Sequence, residues 1–292
     1  MGSRMISWQI WRDQRGRLSA LRLAALALLL FPLAKALFDA SAIAHGARPL
    51  NDLIHRAGFW SLIFLGITLA VTPFRRIARF GQLIDVRRML GVGTFCYIAA
   101  HLVLYVADQR YDLAKVVHEI TTRVYLIVGG VAWLGLAVLA ITSTDGMVRR
   151  IGGKRWRRLH QAIYAIALLG LIHYFQQTKA DVTVPTFVAG LFLWLIAYRL
   201  LAWWQDKSEL SSLSLLSLTV VVSALVFAGE AIGIGIAFNV SPMRVLVAAF
   251  DFDAGVRPGW QVLAAGLAVV LLDVIRARWN SRAARPRTIA AE

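Results

Sequence analysis

Six histidines are the residues best placed to do chemistry in this 292-residue chain, and three of them sit where a histidine is costly. His101, His160 and His173 fall inside long apolar runs, whereas His45 and His118 lie in polar connections and His55 opens a run. Solvation or capping accounts for the last three. An imidazole inside an apolar run is expensive to bury, so each of the first three is a functional candidate. The run holding His101 starts at Arg87-Arg88, and His101 follows Arg88 by thirteen residues. At ~1.5 Å per residue that is about 20 Å along a helix. The run holding the other two starts at Arg157-Arg158, with His160 just inside it and His173 thirteen residues further on. His101 and His173 therefore share a depth on different helices.

Two neutral imidazoles facing each other across a helix bundle are a standard axial pair for haem iron. The competing reading is a pair of neutral histidines hydrogen-bonded to backbone carbonyls or to Ser and Thr. A zinc site is short of ligands, because no Cys, Asp or Glu shares that depth in the two segments. The expectation is haem b, one or two groups, with His101 and His173 as axial ligands. His160 would serve a second haem with an open, weak or external sixth position, because Arg87 and Arg88 occupy the matching depth opposite it. One point resists: on an ideal helix thirteen residues at ~100° each leave His160 and His173 roughly 140° apart in azimuth. Either that helix is distorted or the two histidines address different faces. The single cysteine, Cys96, lies in the same run as His101, and no C-x-x-C-H occurs, which excludes covalent c-type attachment.

The elements that must position these residues follow from composition. The chain is 59% hydrophobic with a mean hydropathy of +0.64. Apolar runs cover 18–38, 53–72, 89–107, 121–142, 157–175, 184–204, 213–238 and 259–276. Each is long enough for a hydrocarbon core roughly 30 Å thick. The fold class expected is all-α: a polytopic membrane bundle of about eight transmembrane helices with both termini cytoplasmic. The charge supports that orientation. More than two thirds of the 32 Lys and Arg residues, and all of the net +16, fall on the side taken as cytoplasmic. That is the positive-inside pattern, and it makes nucleic acid an unnecessary partner; the partner of this surface is the lipid bilayer. The first run has a basic start and is followed by Ala42-Ile43-Ala44, as a signal peptide would be. Its length and the snorkelling Lys35 favour a retained helix.

Every connection is short, the longest being 239–258, so none houses a nucleotide-binding domain, and no strand-Gly-x-Gly-x-x-Gly-helix unit exists. Gly91-Val92-Gly93 and Gly233-Ile234-Gly235 lie in apolar runs, where small residues let helices approach closely. Electrons for any redox role must then come from a partner or a diffusible carrier. Arg75, Arg76, Arg87, Arg88, Arg157 and Arg158 gather at the cytoplasmic face. Topology and lipid headgroups explain most of them. Arg87 and Arg88, at the base of the His101 helix, are also cofactor-binding candidates: a guanidinium there suits a haem propionate or a flavin phosphate. Trp156 reads as an interfacial anchor or a cover for a cofactor edge. Glu230, inside the seventh run, is either a proton or quinone contact or simply hydrogen-bonded, and Asp273 is interfacial. The tail 280–292 is expected to lack structure.

At these residues the chain resembles a known family. Ala70-Val71-Thr72-Pro73-Phe74-Arg75-Arg76 ends the second run, and Arg87-Arg88-Met89-Leu90-Gly91 leads through Tyr97 to His101 and Tyr105. Thr142-Ser143-Thr144-Asp145 precedes Arg149-Arg150-Ile151-Gly152, and Arg155-Trp156-Arg157-Arg158-Leu159-His160 continues to Tyr164, His173-Tyr174 and Lys179. Over roughly residues 18–204 this is similar to the haem-binding membrane subunits of periplasmic methionine sulfoxide reductase systems, the MsrQ (YedZ) family of the ferric reductase-like transmembrane superfamily. The resemblance implies that His101 and His173 are axial haem ligands and that His160 serves a second haem or an alternative coordination. It also implies a periplasmic molybdopterin-dependent reductase as acceptor, a cytoplasmic flavin reductase or membrane quinone as donor, and an association with FMN. Two departures stand out: Arg123-Val124-Tyr125 where the family has Arg-Pro-Tyr, and the added helices within 213–276.

The expected organisation is a cytoplasmic N-terminus (1–17), a six-helix haem-binding core (18–204), two additional transmembrane helices (205–276) and a cytoplasmic tail (277–292). The expected function is electron transfer across a bacterial inner membrane, with no catalytic residue and no substrate bond made or broken in this subunit. Two alternatives stand beside it: a stand-alone transmembrane ferric or quinone reductase, and a haem-binding sensor or assembly subunit without electron-transfer turnover.

Overall fold

The computed structural model describes residues 11–12, 16–178, 181–207, 209–253 and 255–283. Thirteen α-helices make up most of them: α1 (Ala20–Phe38), α2 (Ala40–Ala44), α3 (Pro49–Ile77), α4 (Ile84–Asp108), α5 (Leu113–Thr122), α6 (Val124–Ile141), α7 (Asp145–Ile151), α8 (Gly153–Gln161), α9 (Ile163–Gln177), α10 (Thr183–Trp204), α11 (Ser212–Phe238), α12 (Pro242–Ala248) and α13 (Pro258–Ala283). No strand occurs among the described residues. Polar side chains set several starts. Ser19, Asp112, Thr144 and Ser211 each accept a backbone N–H from the first turn they precede, which satisfies a donor that the helix itself leaves open. The expected tail beyond Ala283 lies outside the described residues.

Seven helices among the described residues are long and apolar enough to cross a membrane: α1, α3, Gly81–Asp108, α6, α10, α11 and Pro258–Trp279. The multi-pass helical membrane protein expected from composition is what the chain forms. The fifth expected span, 157–175, differs. It is split at Ala162 into α8 and α9, so by length it is not a spanning helix. At the break the Ala162 N–H bonds to the carbonyl of Leu159, three residues back, a tightened turn of the 3₁₀ kind. The chain still runs the length of α6. Thr142 meets His160, Gly135 meets Ile166 and Gly129 meets His173, which is an antiparallel path at three successive levels. The break also removes the azimuth conflict, because His160 and His173 do not sit on one continuous helix.

The chain divides into two compact units, residues 1–69 with 82–177 and residues 70–81 with 178–292. In the first unit α1 packs on α4, with Gly93 set against Leu29 and the Tyr97 hydroxyl donating to the Leu29 carbonyl at 2.6 Å. Phe64 is fully buried beside Tyr97. The buried hydroxyls of Ser61, Thr68 and Thr94 donate to carbonyls of their own helices, so no hydroxyl proton there is left unpaired in an apolar surrounding. In the second unit α10, α11 and α13 pack closely where glycines allow it: Gly190 meets Val262 and Val226, Gly266 meets Thr219, and Gly259 meets Phe227. Gly233 does not take the close-packing role expected of it, since nothing lies where its side chain would be. Gly235 does meet a neighbour closely: it faces the Val240 carbonyl and Pro242, the first residue of α12. Leu, Val, Ile and Phe side chains stand exposed along the long helices, as lipid-facing surfaces must.

Candidate functional site

His101 and His173 come together as their shared depth predicted. Their rings lie 6.3 Å apart, centroid to centroid, with planes at 87°. His101 on α4 bonds through Nδ1 to the carbonyl of Ile54 on α3 at 2.7 Å, and His173 on α9 bonds through Nδ1 to the carbonyl of Tyr125 on α6 at 2.7 Å. A carbonyl only accepts, so both Nδ1 atoms carry the proton. In the neutral ring the lone pair then belongs to Nε2. Two imidazoles are thus held in one tautomer, each with its lone pair on Nε2.

The spacing has a chemical meaning. A metal–imidazole bond of about 2 Å on each side, plus the two ring radii, places ring centroids roughly 6 Å apart across a shared ion. The observed separation would suit His101 and His173 as the residues that hold an iron ion between them. The aromatic setting is consistent with that. Tyr125 stacks on His173 with centroids 6.5 Å apart at 27°, and Phe59 lies between Trp60 and Tyr174 in edge and tilted contacts. A metal held by protein ligands alone does not fit, since no cluster of three or more His, Cys, Asp or Glu forms among the described residues.

His160 is placed apart from this pair. Its ring stacks on Trp156 at 3.9 Å and 28°, and its Nε2 lies 3.2 Å from Thr142 Oγ1. The Thr142 hydroxyl donates its own proton to the Val138 carbonyl at 2.7 Å. Its oxygen therefore accepts from His160, whose proton is on Nε2 and whose lone pair is on Nδ1. This is the opposite tautomer to that of the pair. Trp156 Nε1 donates to the Thr142 carbonyl at 2.8 Å, so Thr142 organises both rings. Arg87 and Arg88 are close enough for their charges to act on His160. Arg88 is committed to Asp145 at 2.6 Å in an exposed pair. Arg87 is half-buried and has no ion-pair partner among the described residues.

The remaining histidines behave as solvated or capping residues. His45 bonds to the Ser41 carbonyl near the surface, and His55 is exposed. Glu230 is paired with Arg257 at 2.6 Å in the second unit. Sequence reasoning missed the two carbonyls, Ile54 and Tyr125, that orient the histidines, and it missed Thr142 as the partner of His160. A backbone acceptor has no side-chain signature, whereas Thr142 stood in view within the Thr142-Ser143-Thr144-Asp145 motif.

The long apolar helices and the cross-helix histidine pair define a class of multi-pass membrane redox protein, and the comparisons agree. Residues 56–171 match the ferric reductase like transmembrane component family. That stretch contains His101 and His160 and ends just before His173. The chain belongs, more narrowly, to the MsrQ family. It is 38% identical over 172 residues to the protein-methionine-sulfoxide reductase heme-binding subunit MsrQ of Herminiimonas arsenicoxydans, covering 58% of this chain and 79% of that one. It is 43% identical over 156 residues to the subunit of the same name from Rhodospirillum rubrum, covering 53% and 75%. It is 40% identical over 205 residues to that of Xanthomonas euvesicatoria pv. vesicatoria, covering 70% and 81%. No solved structure matches.

Proposed function

We propose that this chain is the haem-binding membrane subunit of a protein-methionine-sulfoxide reductase system and carries electrons across a bacterial inner membrane to the reductase. The observation that supports it most is the His101–His173 pair, whose 6.3 Å separation and fixed tautomers suit axial ligation of one haem b. The names of the relatives, which are heme-binding subunits of that system, point the same way. When bound, haem supplies a one-electron couple, and the chain supplies ligands, burial and hydrogen bonds that set its potential. Helices α3, α4, α6 and α9 position the two imidazoles through fixed backbone acceptors, so little reorganisation would accompany a change of valence in an iron held there.

The arginine-bearing end of the first unit is the cytoplasmic, donor side in this reading, and both termini are cytoplasmic. Arg87, His160 and Trp156 gather there, a cation beside two stacked rings, and suit an anionic cofactor group such as a haem propionate or the phosphate of FMN. Electrons arrive there from a flavin reductase or a quinone. They leave from the His101–His173 end to a periplasmic molybdopterin-dependent reductase. A second haem, ligated by His160, would be bound through Nδ1 with its other axial position filled from outside the histidine set.

Absorption and EPR spectra of purified wild type, His101→Ala, His160→Ala and His173→Ala test the assignment. A low-spin bis-histidine signal should vanish in His101→Ala and in His173→Ala; its persistence in both would overturn the ligand assignment. Oxidation of the reduced protein on adding the reductase tests the direction of transfer. Reduction of ferric chelate by the chain alone, without that partner, would favour a stand-alone reductase instead.

A further inference from the structure

The two histidines are held by the same device, used twice. The acceptor carbonyls belong to Ile54 and Tyr125, and the residue four positions on is glycine in both cases, Gly58 and Gly129. The spacing is physically meaningful. In an α-helix each Cα–Cβ bond tilts toward the N-terminus. A side chain therefore covers the turn before its own Cα, and a side chain at the fourth residue after a carbonyl shields that carbonyl from the side. A ring from a neighbouring helix reaches the oxygen only if that shield is missing.

A side chain there would crowd the rings themselves, tightly at Gly58 and past contact distance at Gly129. A Cβ at Gly58 would stand 3.0 Å from His101 Nδ1 and 3.1 Å from its Cε1. One at Gly129 would stand 2.8 Å from both Nδ1 and Cε1 of His173, and 3.2 Å from its Cγ. Gly91, in the same unit, is a contrast: a Cβ there meets only Thr68 Cγ2 at 3.7 Å, an ordinary contact.

We propose that Gly58 and Gly129 are positioning residues for the iron ligands: each holds open the approach by which an imidazole Nδ1–H reaches the carbonyl one turn back on the neighbouring helix. The inference rests on the haem reading above. Its consequence is electronic as well as steric. An Nδ1–H donating to a carbonyl fixes the tautomer and raises the basicity of Nε2, and a stronger nitrogen donor favours ferric over ferrous iron. Losing either cradle should therefore raise the midpoint potential, and Gly129, with the tighter approach, should matter more.

The test compares wild type, Gly58→Ala, Gly129→Ala and the control Gly91→Ala by haem content, EPR and redox titration. Both cradle variants should shift the midpoint potential upward and change the largest g value, Gly129→Ala more than Gly58→Ala, while Gly91→Ala stays at the wild-type values. Unchanged potentials and g values in both cradle variants overturn the proposal. Should a cradle variant fail to fold, ¹⁵N-histidine-labelled wild type in the diamagnetic ferrous state decides. Two slowly exchanging Nδ1–H protons support the cradles, and fast exchange at both overturns them. His101→Ala and His173→Ala separate the two ideas. If they keep the bis-histidine signal, the haem reading fails; if they lose it while the glycine variants are silent, only the cradles fail.

Discussion

The imidazole of His101 stands across from that of His173 with ring planes 87° apart. Each ring is tied at Nδ1 to a different helix, so neither is free to swing parallel to the other without losing a 2.7 Å hydrogen bond. If these two rings hold a haem iron between them, planes set this way would leave the two relevant d orbitals of ferric iron almost equal in energy. The ferric protein should accordingly give a strongly anisotropic low-spin EPR signal dominated by one large g value. A rhombic spectrum with three moderate g values would mean that the rings turn when iron binds.

The pair was legible because depth can be counted from the arginines that open each segment: Arg88 to His101 and Arg158 to His173 give nearly the same rise. What depth cannot give is azimuth, and the conflict between His160 and His173 on one ideal helix was the sign of it. The turn at Ala162 carries no proline and no glycine, so the sequence did not mark the break. The glycines at 58 and 129 were visible, yet their role depends on which helix lies opposite, and that is settled by packing across four helices. The same limit applies to Gly233, which resembled a close-packing glycine and faces open space.

Thr142 should matter to His160 and not to the pair. Its Oγ1 accepts from the His160 ring and its carbonyl accepts from Trp156. Thr142→Val removes the first bond and keeps the second, leaving a ring nitrogen without its partner. A loss of about 1–2 kcal/mol is expected from one such bond at a half-buried site, read as a lower thermal midpoint. If His101 and His173 hold the haem, its absorption bands should be unchanged; a shift in them would show that the two ends of the first unit are coupled.

Arg87 and Arg88 are neighbours in sequence with different commitments. Arg88 is spent on Asp145 in a pair exposed on both sides, and such pairs contribute roughly 0–1 kcal/mol. Arg87 is half-buried near His160 without an ion-pair partner among the described residues. If an anionic cofactor group sits at this end, Arg87→Gln should slow reduction by the donor about tenfold or more, the loss of one charge-assisted contact of roughly 1.5–3 kcal/mol. Arg88→Gln should stay within about threefold of wild type, in keeping with the small value of its exposed pair. Stopped-flow reduction of the two variants makes the comparison, and equal rates would remove Arg87 from the donor site.

In the second unit the buried carboxylate of Glu230, with its side chain 2% exposed, depends on Arg257 at 2.6 Å. Asp181 also lies within electrostatic reach of Arg257. Removing one member of a buried pair costs more than removing both, because a charge is left without compensation: about 3–5 kcal/mol against a near-neutral change. Arg257→Ala should therefore lower the thermal midpoint in detergent far more than Glu230→Gln. The double variant Glu230→Gln with Arg257→Gln should recover most of the loss, which makes the pair strongly non-additive. The His101–His173 centre belongs to the other compact unit, and its spectrum should not respond to any of the three. If Arg257→Ala costs no more than Glu230→Gln, the carboxylate is not held as a buried anion by this arginine.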